Sequence, residues 1–224
     1  MVSPVLRGAL TDRSELLPLR ELPVEATTLL DVLHAQPRLA AHLRLVHDVA
    51  AALTVALERR CPGLAFDRVA VLFGAATHDI GKVAHPAELT GSGSAHEPAG
   101  HALLLAHGVP ERLARFAGTH GTWKDQDRTV EDLLVSLADK IWKGQRVAGL
   151  EDLVVDRIAA ATGQPRWQAF LSLDEILDDL ATDADQRLAF QSAYSASRDV
   201  YGAAGREQVA SPFARRGVSS PGNA

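Results

Sequence analysis

The amino-acid sequence predicts an all-α fold organised as a single domain. Apolar residues recur at helical spacing along most of the chain, and no alternating apolar and polar run indicates a strand. The length of 224 residues is more than one average domain of about 150 residues, but no stretch has the composition of a linker between two domains. The composition is 46% hydrophobic and 23% charged, which is typical of a globular protein and excludes a chain that is disordered throughout.

The clearest predicted helix has apolar residues spaced four and three apart from Leu39 to Leu57, and it ends before Cys61-Pro62-Gly63. A second helix, rich in valine, leucine and alanine, covers about 66–79, and Gly81 is placed to end it. Residues 83–95 have the composition of a flexible loop. Further helical patterns cover about 97–107, 110–120, 129–146, 150–162 and 172–198.

The two ends of the chain are expected to lie outside the helical domain. Residues 1–20 contain little that a core could bury, and residues 202–224 are rich in glycine, alanine, serine, arginine and proline. We therefore expect a flexible N-terminus, a helical domain over 21–201 and a disordered tail.

Charge and composition exclude several classes of protein. The chain has 23 basic and 28 acidic residues, a formal net charge of −5, which argues against general nucleic-acid binding and against a polybasic membrane binder. The single cysteine, Cys61, excludes a disulfide framework and a thiolate zinc cluster. No signal-peptide pattern and no apolar run of about 20 residues stands out, so we expect no membrane contact and a cytoplasmic location.

Histidine is concentrated in one part of the sequence, since eight of the nine histidines lie between His42 and His120. This region contains His78-Asp79-Ile80-Gly81-Lys82, in which an imidazole and a carboxylate stand side by side where a helix is predicted to end. Both side chains are free to converge on one cation. Imidazole and carboxylate together, without thiolates, suit divalent first-row metals rather than soft ones.

The order of possible ligands along the chain is more specific than one pair. These ligands are His42, His78, Asp79, His96, His120 and Asp139. Their order, with Leu-Ala-Asp-Lys around the last, resembles the HD-domain superfamily of metal-dependent phosphohydrolases, specifically its HDIG-type members, over about 38–146. The resemblance implies one helical domain with a metal site at its centre. It implies that one ion is held by His42, His78, Asp79 and Asp139. His96 and His120 would help to hold a second ion, with Asp79 bridging the two.

Two features of this metal site stay open at the level of sequence. Either one or two divalent ions fit the pattern, and iron, manganese, magnesium, cobalt or nickel are all compatible with the ligands. His47 lies close to His42 and is an alternative first ligand. His42 is preferred because the residues four, eight and eleven positions after it are apolar, whereas the eleventh residue after His47 is Glu58.

The resemblance implies hydrolysis of a phosphate mono- or diester by metal-activated hydroxide, and we expect Asp79 and Lys82 to be the catalytic residues. All four lysines of the chain lie within four residues of a proposed ligand, and we expect the Lys82 ammonium group to contact a phosphate. The expected partner is a small, nucleotide-like phosphorylated substrate. Neither a membrane nor nucleic acid in general is expected as a partner, and the oligomeric state is left open.

Two other functions are compatible with the same residues. Some relatives with this ligand pattern are di-iron oxygenases of the HD fold. A regulatory protein that binds a nucleotide or phosphate without turnover is the second alternative. Lys82 and the clustering of lysines favour the hydrolase over the oxygenase, and the presence of all six ligands favours an enzyme over a binding protein.

Overall fold

The computed structural model describes residues 3–12 and 17–195. Over these residues the fold is all-α, as predicted, and contains no strand. The helices are α1 (Pro4–Thr11), α2 (Val24–Val32), α3 (Pro37–Arg60), α4 (Arg68–Thr77), α5 (His96–Ala106), α6 (Glu111–Ala114), α7 (Phe116–Thr119), α8 (Val130–Ile141), α9 (Ala148–Thr162), α10 (Arg166–Ala181) and α11 (Ala184–Ala193). Two 3₁₀ segments, Ile80–Val83 and Pro86–Leu89, lie between α4 and α5.

Helix α3 is the central element of the fold, and it contacts α1, α4, α8, α10 and α11. It begins with Pro37, whose missing N–H is no loss in the first turn of a helix. By length and composition alone, α3 could cross a membrane, with a mean hydropathy of 1.3 over 18 residues. However, 78% of that stretch is buried inside the fold, as expected for a central core helix.

The hydrophobic core consists of two clusters. The larger joins the second half of α3 to α8, α9 and α10, with Leu53, Leu134 and Leu177 among its buried residues. The smaller joins α1, α2 and the first half of α3, and includes Leu10 and Leu30. Helix α4 contributes to both clusters, so its C-terminal end is fixed between them.

The N-terminal segment differs from the expectation that residues 1–20 are flexible. Helix α1 buries Leu6 and Leu10 and contacts α3. The fully buried guanidinium group of Arg44 in α3 donates hydrogen bonds to the backbone carbonyl oxygens of Ala9, Asp12, Leu19 and Arg20. These contacts hold the segment in place, because leaving the buried guanidinium without acceptors would cost free energy.

Two further differences concern helices. The sequence did not predict α2. The pattern over 172–198 corresponds to parts of two helices, α10 and α11, because the chain turns at Thr182 and Asp183. The predicted tail over 202–224 lies outside the described residues.

A close approach of two backbone segments follows α4. The 3₁₀ segment Ile80–Val83 crosses α5 so closely that a Cβ atom on Gly81 would lie 2.0 Å from the carbonyl oxygen of His96 and 2.5 Å from the amide nitrogen of Gly100. Only glycine fits at such a crossing. Because Asp79 directly precedes the segment and His96 begins α5, the crossing brings these two side chains together.

Candidate metal centre

The structure brings together all six side chains that the sequence singled out as possible metal ligands. They come from α3, α5 and α8, and from the C-terminal ends of α4 and α7. Five of them are at most 8% exposed, and the side chain of Asp139 is 13% exposed. They form two groups, His42 with His78 and Asp139, and Asp79 with His96 and His120.

The first group has the spacing of ligands around one ion. The Nε2 atoms of His42 and His78 are 3.3 Å apart, and Oδ1 of Asp139 lies 3.5 Å and 3.3 Å from them. Ligand atoms bound at about 2.1 Å from one ion lie about 3.0 Å apart at octahedral angles and about 3.4 Å apart at tetrahedral angles. The three observed separations match this range.

Asp79 joins the second group to the first. Its Oδ1 atom is 3.0 Å from Nε2 of His96 and 3.5 Å from Nε2 of His120, and these two nitrogens are 3.5 Å apart. Its Oδ2 atom faces the other way, 3.1 Å from Nε2 of His42 and 3.7 Å from Nε2 of His78. Asp79 therefore directs one oxygen to each group, as a bridging carboxylate does.

The hydrogen bonds of the Nδ1 atoms leave the Nε2 atoms available to a cation. Nδ1 of His78 faces the carbonyl oxygen of Ala75, and Nδ1 of His120 faces the carbonyl oxygen of Ala117. Nδ1 of His96 faces the carboxylate of Glu88. We assign the proton to Nδ1 because these partners only accept, so Nε2 of the neutral ring carries a lone pair. Three such lone pairs face one another and two carboxylates, which is repulsive unless a cation lies among them. The donor set therefore fits divalent metal ions.

The two aspartates of the cluster are ionised. Burial raises the pKa of Asp79, but when no ion is bound, protons on the rings of His78, His120, His42 and His96 take the place of the cation and lower the pKa well below its usual value. Burial also raises the pKa of Asp139, and a proton on His78 in the absence of an ion outweighs that effect, so this pKa is lowered too. Both carboxylates are therefore available as ligands at neutral pH.

The structure also places His42, and not His47, in the cluster. The His42 ring packs edge-on against Trp142, with the ring centroids 5.1 Å apart. His47 is buried, belongs to neither group of possible ligands and has no hydrogen-bond partner for its Nδ1 atom among the described residues. Burial lowers the pKa of His47 to about 4, so this side chain is neutral at neutral pH.

Comparison with known families agrees with this geometry. Residues 39–142 match the family model of the HD domain. This part of the chain is an HD domain. All six cluster residues lie within the matched range, and proteins with HD domains are mostly metal-dependent phosphohydrolases that bind divalent metals. Comparisons with curated proteins and with solved structures gave no match.

Glu88 is a residue of the candidate site that the sequence does not single out. It lies in the 3₁₀ segment Pro86–Leu89, within the loop predicted to be flexible. Its carboxylate accepts hydrogen bonds from the backbone N–H groups of Ala95 and His96 and, at 2.5 Å, from Nδ1 of His96. The side-chain bond from His96 is the main reason why the pKa of Glu88 is lowered. Glu88 thus fixes the orientation of the His96 ring. The only sequence signal is that it is the one acidic residue in 83–95.

Two residues of α8 hold the short helix that precedes His120. The Ser136 hydroxyl donates to the carbonyl oxygen of His120 at 3.0 Å. Asp132 is buried, and its carboxylate accepts from the Thr119 hydroxyl at 2.9 Å and from the Arg115 guanidinium group. Because Asp139 lies on the same helix, α8 sets the position of His120 relative to Asp139.

The cluster lies in a largely polar cavity of about 450 Å³. Nζ of Lys82 is 2.5 Å from Oδ2 of Asp79, and Nζ of Lys140 is 2.7 Å from Oδ2 of Asp139. Lys143 also lines the cavity. The ammonium group of Lys124 instead lies 5.2 Å from the centroid of the Trp123 ring, outside this lining. The clustering of lysines in the sequence thus corresponds to a shared cavity for three of the four.

A larger cavity, of about 610 Å³, lies elsewhere in the fold. It is apolar, is lined by parts of α2 and α4 and by residues 107–110, and contains none of the six cluster residues. The chemistry of the smaller cavity, and not its size, identifies it as the candidate active site.

Proposed function

We propose that this HD domain hydrolyses a phosphate mono- or diester of a nucleotide or a related small molecule, with one or two divalent metal ions as cofactors. The position of Asp79 supports the proposal, because it directs one oxygen to each of two ligand groups in a cavity lined by cations. A shared carboxylate suits two ions about 3.5–4 Å apart, the separation used in two-metal phosphoryl transfer.

The two groups of side chains would hold the ions as the sequence resemblance implies, the first on His42, His78, Asp79 and Asp139 and the second on Asp79, His96 and His120. Bound there, divalent ions lower the pKa of a coordinated water and neutralise charge on the phosphoryl oxygens. The rings of His78, His96 and His120 are in position before substrate arrives, because their Nδ1 atoms are held by carbonyl and carboxylate oxygens.

Lys82 is proposed to bind the scissile phosphate. Its ammonium group contacts Asp79 and lines the same cavity, so a phosphate ester bound above Asp79 lies within its reach. A positive charge at this point stabilises the negative charge that develops on the phosphoryl oxygens during the reaction. Three lysines and one arginine line the cavity, which favours an anionic substrate over a neutral one.

The test of the proposal is a measurement of metal content and phosphate release. Protein purified without chelators is assayed anaerobically against a panel of phosphate mono- and diesters. We expect hydrolysis that a chelator abolishes, and loss of both bound metal and turnover in Asp79→Ala. Asp127→Ala, which removes an exposed carboxylate outside the cluster, is the matched control and should retain both.

Several outcomes would contradict the proposal. Full activity in Asp79→Ala would remove the metal mechanism. Turnover that requires oxygen would favour the di-iron oxygenase, and tight nucleotide binding without hydrolysis of any ester would favour a regulatory protein.

Lys82→Ala separates binding of the phosphate from binding of the metal. We expect this variant to keep its metal content and to lose about 10²- to 10³-fold in kcat, the usual effect of removing one group that stabilises transition-state charge. Lys124→Ala is the control, since this lysine is outside the cavity lining. An unchanged rate in Lys82→Ala would exclude a catalytic role for this residue.

A further inference from the structure

Two cations of the cavity have no carboxylate partner. Lys82 and Lys140 each contact an aspartate of the cluster. Arg38 and Lys143 also line the cavity, yet neither forms an ion pair with any residue in 3–12 or 17–195. The remaining carboxylate of the lining, Glu97, lies next to Gly121 near the end of α7. The described residues therefore leave the charges of Arg38 and Lys143 unpaired.

Both cations lie one helical turn from a residue of the cluster. Arg38 precedes His42 by four residues in α3, and Lys143 follows Asp139 by four residues, just beyond the end of α8. Residues four apart share one face of a helix, and a rise of 1.5 Å per residue separates them by about 6 Å along its axis. Because His42 and Asp139 belong to the same ligand group, Arg38 and Lys143 extend the cavity beyond that group.

The surroundings of Arg38 indicate that an acceptor is missing. Its Nε atom is buried and has no hydrogen-bond partner among the described residues, and one of its terminal nitrogens donates to the Ser195 hydroxyl. A buried donor without an acceptor is costly, and an anion that binds the guanidinium group removes this cost. Apolar and amide side chains, from Trp142, Leu188 and Gln191, also line the cavity, so an organic scaffold can lie beside the cations.

We infer that the substrate carries a second anionic group, which binds Arg38 and Lys143 while the scissile phosphate binds at the metal cluster. This inference rests on the proposed function and narrows its substrate class to small molecules with two anionic groups, such as bisphosphorylated compounds. A substrate with a single phosphate leaves both cations unpaired.

Phosphonates test this inference by binding alone, because their C–P bonds are not phosphate-ester bonds and are not hydrolysed as such. Isothermal titration of the metal-loaded protein compares alkylphosphonates with alkane bisphosphonates whose spacers have two to six carbons. We expect the best bisphosphonate to bind about tenfold more tightly than the monophosphonate of equal length, from two added charge-assisted contacts. A bisphosphonate has two equivalent ends, which alone raise its affinity by a factor of about two. The expected tenfold difference exceeds this statistical factor.

Variants of Arg38 and Lys143 test whether these two cations cause the tighter binding of the bisphosphonate. Lys143→Gln is expected to reduce the advantage of the bisphosphonate to about threefold or less, and Arg38→Gln to reduce it similarly. Lys143 is exposed, so its replacement does not threaten the fold, and Arg38→Lys, which keeps the charge, should restore part of the advantage. Lys124→Gln removes the same charge outside the cavity and should leave the advantage unchanged.

The outcomes distinguish failure of this inference from failure of the proposed function. Metal-dependent hydrolysis of monoesters, with equal affinity for mono- and bisphosphonates at every spacer, would overturn the second anion site alone. An advantage that persists in Arg38→Gln and Lys143→Gln would overturn it as well. If no ester is hydrolysed but the bisphosphonate advantage depends on both cations, the anion site stands and the hydrolase proposal fails.

Discussion

Replacing Gly81 by alanine tests whether the close crossing of the segment Ile80–Val83 over α5 holds the metal centre together. The added Cβ atom would lie 2.0 Å from the carbonyl oxygen of His96 and 2.5 Å from the amide nitrogen of Gly100. Both are backbone atoms and cannot rotate away as a side chain can. The segment must therefore move away from α5, or α5 must move.

The size of this movement follows from the contact distances. A carbon and an oxygen in close contact are about 3.3 Å apart, so the two segments must separate by about 1.3 Å. Overpacking in a core costs about 1–3 kcal/mol, and because backbone must move here we expect about 3 kcal/mol. The same movement separates Asp79 from His96, and it exceeds the displacement of about 0.5 Å that a functional site tolerates.

Urea denaturation and metal analysis of the purified variant measure the two effects. Gly118→Ala is the matched control, because the nearest atom to a Cβ there is Cβ of His101 at 3.7 Å, an ordinary contact. It adds the same methyl group within α7, two residues before His120, and should change the free energy of unfolding by less than about 0.5 kcal/mol. Wild-type stability and full metal content in Gly81→Ala would refute the reasoning.

Two further predictions concern a carboxylate and a buried imidazole. Glu88→Gln is expected to lower metal affinity about 10- to 100-fold in competition with a chromophoric chelator, because it weakens the acceptor for Nδ1 of His96. Glu111→Gln, which alters an exposed contact with His101, is the control, and an equal loss in both variants would contradict the prediction. His47 has a pKa of about 4 in the folded protein and 6.5 as its ordinary value, so the unfolded state binds a proton first as pH falls. Between pH 6.5 and 4, the free energy of unfolding of the wild type, measured by urea denaturation, should therefore fall by about 3 kcal/mol more than that of His47→Leu. An equal fall in the two proteins would contradict the prediction.

Local sequence predicts the central helices well and the N-terminal ones poorly. Helix α3 repeats apolar residues over many turns and has a clear stop after Arg60, so its position was predicted to within a few residues. Helix α2 has no side chain that caps its N-terminus, and Val24 and Val32 at its ends are exposed, so its pattern is weak. The burial of α1 depends on hydrogen bonds from Arg44, more than 30 residues away, which no local pattern contains.

The possible ligands could be predicted because histidine and aspartate are informative residue types and their order along the chain is specific. Their supporting residues could not. Glu88 and Ser136 have ordinary residue types for a loop and a helix, and their roles depend on where the chain folds back. Arg38 is one of many arginines, and only its place in the cavity beside Lys143 distinguishes it.

The two ligand groups differ in what holds them, and this difference predicts the order in which ions leave. In the first group, His42 and Asp139 lie within the long helices α3 and α8, which pack directly against each other. In the second, His96 is the first residue of α5 and His120 follows a helix of four residues. Their positions depend on the Gly81 crossing and on hydrogen bonds with Glu88 and Ser136.

Because a less rigid ligand set binds an ion less tightly, we expect a protein loaded with two ions to lose the second-group ion first. Titration with a chelator, followed by metal analysis, should give a plateau at one ion per chain. Glu88→Gln should shift only the first step of this titration, since Glu88 contacts a ligand of the second group. Loss of both ions in one step, or an equal shift of both steps in the variant, would show that the two groups bind metal as a single unit.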